Sequence, residues 1–134
     1  MICAYDRGRF VTRVVLQDAL VLVAVALAAW AGGPWGTALA FGATAALVWG
    51  FVTLHFPSKV ELTADWVAFS AYGRRHEFPW RDVTRVRVRR FLVRDRVLVR
   101  LVPSGAWRGR YWITDGLGGY DALVAELERR AAQT

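Results

Sequence analysis

The chain has 134 residues, 55% of them hydrophobic, and a formal net charge of +7 from 18 basic and 11 acidic side chains. That length holds about one domain, and a single cysteine, Cys3, excludes a disulfide framework and a cysteine-held metal cluster. Seventeen of the basic residues are Arg, a bias that a GC-rich genome also produces, so the Arg count does not by itself mark a site.

Between Asp18 and Lys59 there is no Asp, Glu, Lys or Arg, and Gly32-Gly33-Pro34 splits this run near its middle. A hydrocarbon core about 30 Å thick takes roughly 20 apolar residues per helix, so the run has the length for two crossings. The expected order is an N-terminal segment over 1–13, a transmembrane helical hairpin over 14–56, and a domain over 57–134. The helices are placed at about 14–31 and 35–56. Gly33-Pro34 cannot continue a helix, whereas Pro suits the first turn of the next one. Arg7, Arg9 and Arg13 precede the hairpin, Lys59 and an Arg-rich segment follow it, and the turn carries no charge. The positive-inside rule then predicts a multi-pass protein of the cell (inner) membrane with both termini in the cytosol. Trp30 and Trp35 beside the turn, and Phe10 and Phe56 at the other end, suit interfacial anchors. Arg7, Arg9 and Arg13 before an apolar run ending Ala29-Trp30-Ala31 also imitate a cleavable secretory signal. The second apolar segment, starting at once, and the interrupting Asp18 favour the hairpin.

Gly42, Ala46 and Gly50 recur every four residues, as do Ala24, Ala28 and Gly32, a spacing that lets helix backbones approach closely. Packing of the hairpin on itself and contact between copies in a homo-oligomer both remain open. Asp18 lies about one turn inside the first helix. An ionisable residue in a span is a functional candidate, but this one is close enough to the inner interface to reach headgroups, Arg7 or Arg13. A proton-linked pair with His55 has no other support.

After Pro57 the pattern becomes alternating, which predicts strands. Lys59–Thr63 is the first, Trp66–Tyr72 the second after an Ala64-Asp65 turn, and Arg75–Pro79 the third after Gly73. Trp80-Arg81-Asp82 opens a fourth, in which Val83, Val86 and Val88 give way to Arg85, Arg87 and Arg89. Val97–Val102 follows a loop near Arg94-Asp95, and Arg108–Thr114 follows the Pro103-Ser104-Gly105 turn. Tyr120, Leu123, Val124 and Leu127 then fall on one helical face, with Asp121 in the first turn and Arg129 and Arg130 in the last, favourable to the dipole. The fold class expected is α+β: a transmembrane α-hairpin, six short antiparallel strands in a curled sheet or barrel, and a C-terminal amphipathic helix.

Val60-Glu61-Leu62-Thr63-Ala64-Asp65-Trp66-Val67, then Phe78-Pro79-Trp80-Arg81-Asp82-Val83, then Tyr111-Trp112-Ile113-Thr114 and a helix over 119–131 make a pattern. It resembles the bacterial pleckstrin-homology-like (PH-like) domains that follow a two-helix membrane hairpin. The resemblance covers nearly the whole chain and implies a barrel of two near-orthogonal sheets capped by the helix. That fold usually has seven strands, one more than the pattern yields here. In lipid-binding members of the wider superfamily, basic residues gather in the first hairpin loop. Here that loop is Thr63-Ala64-Asp65, so no phosphoinositide site carries over.

The strongest candidate for a lipid- or partner-binding site is the set Arg85, Arg87, Arg89, Arg90, Arg94 and Arg96. Near an anionic leaflet each such residue contributes on the order of 1 kcal/mol of attraction. A solvated strand face obeying the positive-inside bias explains the same residues. Nucleic-acid binding, with Trp107, Tyr111 and Trp112 as stacking platforms beside Arg108 and Arg110, lacks any reader motif. Catalysis has little to stand on: His55 and His76 are far apart, and His76 reads as an exposed strand position. Ser104 has no base partner, Gly116-Leu117-Gly118-Gly119 lacks the phosphate-loop spacing and its Lys, and Asp115 and Asp121 do not fit an EF-hand. No catalytic, cofactor or metal residue is assigned. The function expected is a non-enzymatic, membrane-anchored adaptor whose partners are the lipid bilayer and a membrane protein or anionic lipid headgroups. The alternative is a structural subunit of a larger membrane complex, with Gly42, Ala46 and Gly50 packing its helices.

Overall fold

The computed structural model describes residues 1–134 apart from 11, 13, 14 and 92–95, with Arg7 and Phe10 described by backbone alone. Two compact units divide the chain: Arg7–Val52, and a unit made of Met1–Asp6 together with Thr53–Thr134. The architecture is α+β.

The first unit is helical, with α1 (Arg7–Phe10), α2 (Leu16–Ala31) and α3 (Gly33–Thr53). Gly32 and Gly33 take φ of 74° and 77°, a left-handed conformation costly to other residues, and this breaks the helix. Pro34 then sits in the first turn of α3, where its missing N–H removes no helical bond. At Gly36 an added Cβ would lie 2.5 Å from the Ala28 carbonyl oxygen, so the close approach of α2 and α3 depends on glycine there. At Gly42 and Gly50 a Cβ would meet nothing within 4 Å. No residue of α2 is buried, and in α3 only Thr53 is. Leu20, Leu27, Leu39 and Phe41 are all exposed, and Trp30 and Trp35 are 87% and 82% exposed on either side of the turn. By length and composition α3, with 21 residues, can cross a membrane, whereas α2 has 16. At 1.5 Å per residue these are about 31 Å and 24 Å long. Val14, the expected start of the first helix, lies outside the described residues.

Among the described residues the second unit has seven strands, one more than expected. The addition is β1 (Ile2–Ala4), which precedes the helices in sequence yet pairs with β2 (Lys59–Leu62) beyond them. Next come β3 (Trp66–Ala71) and β4 (Arg74–Pro79), joined by Tyr72 and Gly73 at φ of 52° and 75°. Two left-handed residues give the turn a twist that matches the flanking strands. Trp80–Asp82, expected to open the fourth strand, is a 3-10 turn that lifts the chain from one sheet to the other. Then follow β5 (Arg85–Phe91), β6 (Arg96–Val102), β7 (Arg110–Thr114) and α4 (Tyr120–Gln133). The sheets run β1-β2-β3-β4 and β5-β6-β7, all antiparallel, so among the described residues the expected barrel does not close.

Alternation places Val60, Leu62, Val67 and Phe69 of one sheet and Val86, Val97, Val99, Leu101, Tyr111 and Ile113 of the other in a single core. Leu123, Val124 and Leu127 of α4 complete it. Phe69 stacks on Tyr111 at 3.8 Å between ring centroids, a direct link across the two sheets. Trp80 fastens the turn between the sheets. Its Nε1–H donates to the Thr63 carbonyl at 3.0 Å, and the Arg130 guanidinium of α4 lies 4.2 Å over its ring.

The first residues are tied in at several points. Cys3, 2% exposed, pairs with Val60; the Tyr5 N–H donates to Ser58 O at 3.0 Å and the Gly118 N–H to Ala4 O at 3.0 Å. Tyr5 and Thr114 also share a hydroxyl–hydroxyl hydrogen bond. Gly119, at φ 76°, would place a Cβ 3.1 Å from the Cys3 Sγ, so the glycine run before α4 makes room for β1. Past α3, Leu54 is fully buried, and the Trp112 N–H of β7 donates to the His55 carbonyl at 2.7 Å.

The folded unit is therefore discontinuous in sequence. A chain with Arg7–Val52 replaced by about six Gly/Ser residues should melt cooperatively. The stretch from Pro57 onward alone, without β1, Cys3 and Leu54, should melt more than about 10 °C lower. Circular dichroism compares the two, and equal melts would show that β1 contributes nothing.

Candidate functional site

In β5, β6 and β7 every second side chain faces the core, and the rest form an outer face. On β5 the outer positions are Arg85, Arg87, Arg89 and Phe91, with the three arginines exposed. On β6 they are Arg96, Leu98, Arg100 and Val102, and on β7 Arg110, Trp112 and Thr114. The antiparallel register aligns them in rows: Arg87 opposite Arg100 opposite Arg110, and Arg89 opposite Leu98 opposite Trp112. Six guanidinium groups thus share one face, and these three strands contain no acidic residue. None of the six is in an ion pair among the described residues. Arg100 Nε donates to Ser104 Oγ at 3.1 Å, and Arg89 lies 5.2 Å over the Phe91 ring. Phe91 and Trp112 pack at 5.0 Å between centroids, an aromatic pair amid the cations.

The structure regroups the arginines expected to act together. Arg85, Arg87, Arg89 and Arg96 share the outer face. Arg90 points to the other side of the sheet, where it grips Glu128 of α4 with Nε at 2.6 Å and a second nitrogen at 2.9 Å. This two-pronged bond holds the Glu128 carboxyl below the usual carboxylate range. Arg90 thus pins α4 to β5. Arg94 lies outside the described residues. Arg100, Arg110 and Trp112 join the face although sequence reasoning did not group them with it. The available signal was their even spacing within β6 and β7, which becomes a patch only when the strand register is known.

The outer face of the other sheet makes a useful contrast. There Arg75 bridges Glu61 at 3.1 Å and Glu77 at 3.0 Å, Lys59 also pairs with Glu61, and Arg75 covers the Trp66 ring at 4.6 Å. Charges on that sheet are balanced across strands; on β5-β6-β7 they are all of one sign.

His76, expected on the surface, is 6% exposed. The β4 alternation turns it into the core, where its Nδ1 lies 2.9 Å from the Tyr111 hydroxyl. That oxygen accepts the Gly109 N–H at 3.3 Å, so its proton is free to go to Nδ1, which requires a neutral imidazole. Burial first, and then the charges of Arg108 and Arg74, push His76 down to about 4, and burial pushes Tyr111 up to about 12. The pair joins the sheets as neutral partners beneath the stacked Phe69 ring. Among the described residues no group of three or more His, Cys, Asp or Glu could hold a metal ion. The Gly116-Leu117-Gly118-Gly119 run is accounted for by β1.

The His76 pair has a consequence for stability. With a folded value near 4 against an ordinary 6.5, the unfolded chain takes up a proton that the folded one refuses. Stability is full above about pH 6.5 and falls as pH drops toward 4, by an amount on the order of 2 kcal/mol. Urea unfolding at pH 7.5 and 5 should show the decline, and His76→Leu should flatten it; an unchanged slope would refute the assignment. Tyr111→Phe, which strands both Nδ1 and the Gly109 N–H, should cost about 1–3 kcal/mol at pH 7.

No family model, curated protein or solved structure matches this chain.

Proposed function

We propose that this protein is a non-enzymatic, membrane-anchored adaptor. In this reading α2 and α3 form a membrane hairpin, and the seven strands with α4 form a PH-like domain that offers a basic face at the cytosolic surface of the cell membrane. The observation that carries the reading is the insertion of two solvent-exposed apolar helices between adjacent strands β1 and β2. Leucine, phenylalanine and tryptophan side chains left uncovered over two whole helices call for an apolar environment. Because the Tyr5 N–H bonds to Ser58 O, the inserted segment leaves and rejoins the same sheet edge. A segment held at both ends on one side of a bilayer can only cross it an even number of times. Two crossings meet that condition, with the shorter α2 drawing on flanking residues and local thinning of the bilayer. The 4+3 sheets and C-terminal helix accord with the PH-like resemblance, and β1 supplies a seventh strand.

Cysteine labelling in a bacterial host tests the arrangement. With Cys3→Ala as background, Trp35→Cys should react with an impermeant maleimide in intact cells, and Gly73→Cys only after lysis. Recovery of the chain in the buffer fraction without detergent, or a Trp35→Cys site reached only after lysis, would overturn the proposal.

A second reading, a structural subunit of a larger membrane assembly, is favoured by one observation. The ridge of Gly42, Ala46 and Gly50 has open space beyond both glycines. If another helix packs there, Gly42→Leu with Gly50→Leu should convert a cross-linked oligomer in mild detergent to monomer. An unchanged oligomer would count against it.

A further inference from the structure

We infer that the outer face of β5-β6-β7 is a docking surface for anionic phospholipid headgroups, with Arg87, Arg100 and Arg110 as its central row and Trp112 as its interfacial anchor. This rests on the membrane-anchored reading and deepens it by naming the surface and its ligand.

Arg87, Arg100 and Arg110 are direct cross-strand partners. Neighbouring strands are about 4.8 Å apart, and like charges directly opposite each other destabilise a sheet. The other sheet of the same domain answers its basic residues with Glu61 and Glu77. A general surplus of arginine would fall on both sheets. Of the two outer faces, only that of β5-β6-β7 carries a row of arginines without acids, and that face is complementary to an extended array of phosphates.

The backbone N–H of Trp112, whose side chain lies on this face, donates to the carbonyl of His55, two residues past the end of α3 at Thr53. Two residues of chain reach at most about 7 Å. If Thr53 lies at the headgroup layer, Trp112 in the middle of β7 is held within that reach and one further hydrogen bond of it. Tryptophan is enriched at that depth because its ring is apolar and its N–H polar. Trp112, Phe91 and Leu98 among the arginines form the mixture that an interface between headgroups and acyl chains accepts. The surface differs from the first hairpin loop, Thr63-Ala64-Asp65, which has no basic residue.

The test uses the full chain in nanodiscs of phosphatidylcholine alone or with about one third phosphatidylglycerol, an acidic fraction that draws cations to the surface. An environment-sensitive fluorophore is placed at Val102→Cys, on this face, or at Gly73→Cys, on the other sheet, with Cys3→Ala. The Val102 probe should shift blue and be quenched by a nitroxide-headgroup lipid only in the anionic discs, and about 0.5 M salt should reverse the effect. The Gly73 probe should not respond. Replacing Arg87, Arg100 and Arg110 by Gln should lower the docked-to-undocked ratio roughly a hundredfold. Replacing Arg74, Arg81 and Arg129 by Gln, at equal net charge, should leave it within about twofold, where one arginine at the surface is worth about fivefold. Cooperative melting of both variants shows that the fold is intact. A Val102 probe indifferent to lipid charge, or equal effects of the two triple replacements, would overturn the inference while leaving the anchor in place. So would a probe that ignores phosphatidylglycerol but answers an oligonucleotide or an acidic protein. A chain that fails to enter the discs would overturn both readings.

Discussion

Three residues of backbone pairing, Ile2–Ala4 against Lys59–Glu61, hold this protein in its arrangement. They join the two ends of a segment of more than forty residues to one sheet edge, so the helices become an insertion within the domain. The pairing also gives the glycine run before α4 its purpose, because Gly118 bonds β1 and Gly119 leaves room for Cys3. Without β1 the edge of β2 would be unpaired and a face of the core uncovered. The stability of the strand-rich unit and the closure of the inserted segment therefore rest on the same few hydrogen bonds.

A second constraint is the period of two in a strand. It buries Val86, Val97, Val99, Leu101, Tyr111 and Ile113, and by the same geometry sends Arg85, Arg87, Arg89, Arg96, Arg100 and Arg110 outward together. The core cannot be built from these strands without also building an outward face. What is selectable is the identity of the outward residues. In one sheet they are paired acids and bases, and in the other they are arginines with an aromatic pair. Arg90 shows the limit of reading charge runs as single surfaces: one step along the strand it faces α4, and its guanidinium works as a clasp.

Much of the fold was legible because it depends on local pattern. The break at Gly32-Gly33-Pro34, the strands from Lys59 to Thr114 and the face of α4 follow from periodicity and turn chemistry over a few residues each. The 3-10 turn at Trp80–Asp82 reads as the start of a strand because the apolar positions Val83, Val86 and Val88 follow it directly. β1 was missed because Ile-Cys-Ala is too short to show a period, and its partner lies far along the chain. The charged neighbours Arg74, Arg75 and Glu77 suggest solvent for His76, while strand alternation puts it on the core side of β4 with Phe78, opposite Phe69 and Val67.

Residue order alone settled the charge-free stretch, its division in two, the alternating segments and the amphipathic last helix, since each is a property of neighbours in sequence. Only tertiary structure decided that the first residues belong to the same sheet as Lys59, that the sheets stay open, and that six arginines from three strands lie on one face. Those are matters of register between distant segments, and register comes from how side chains pack across strands.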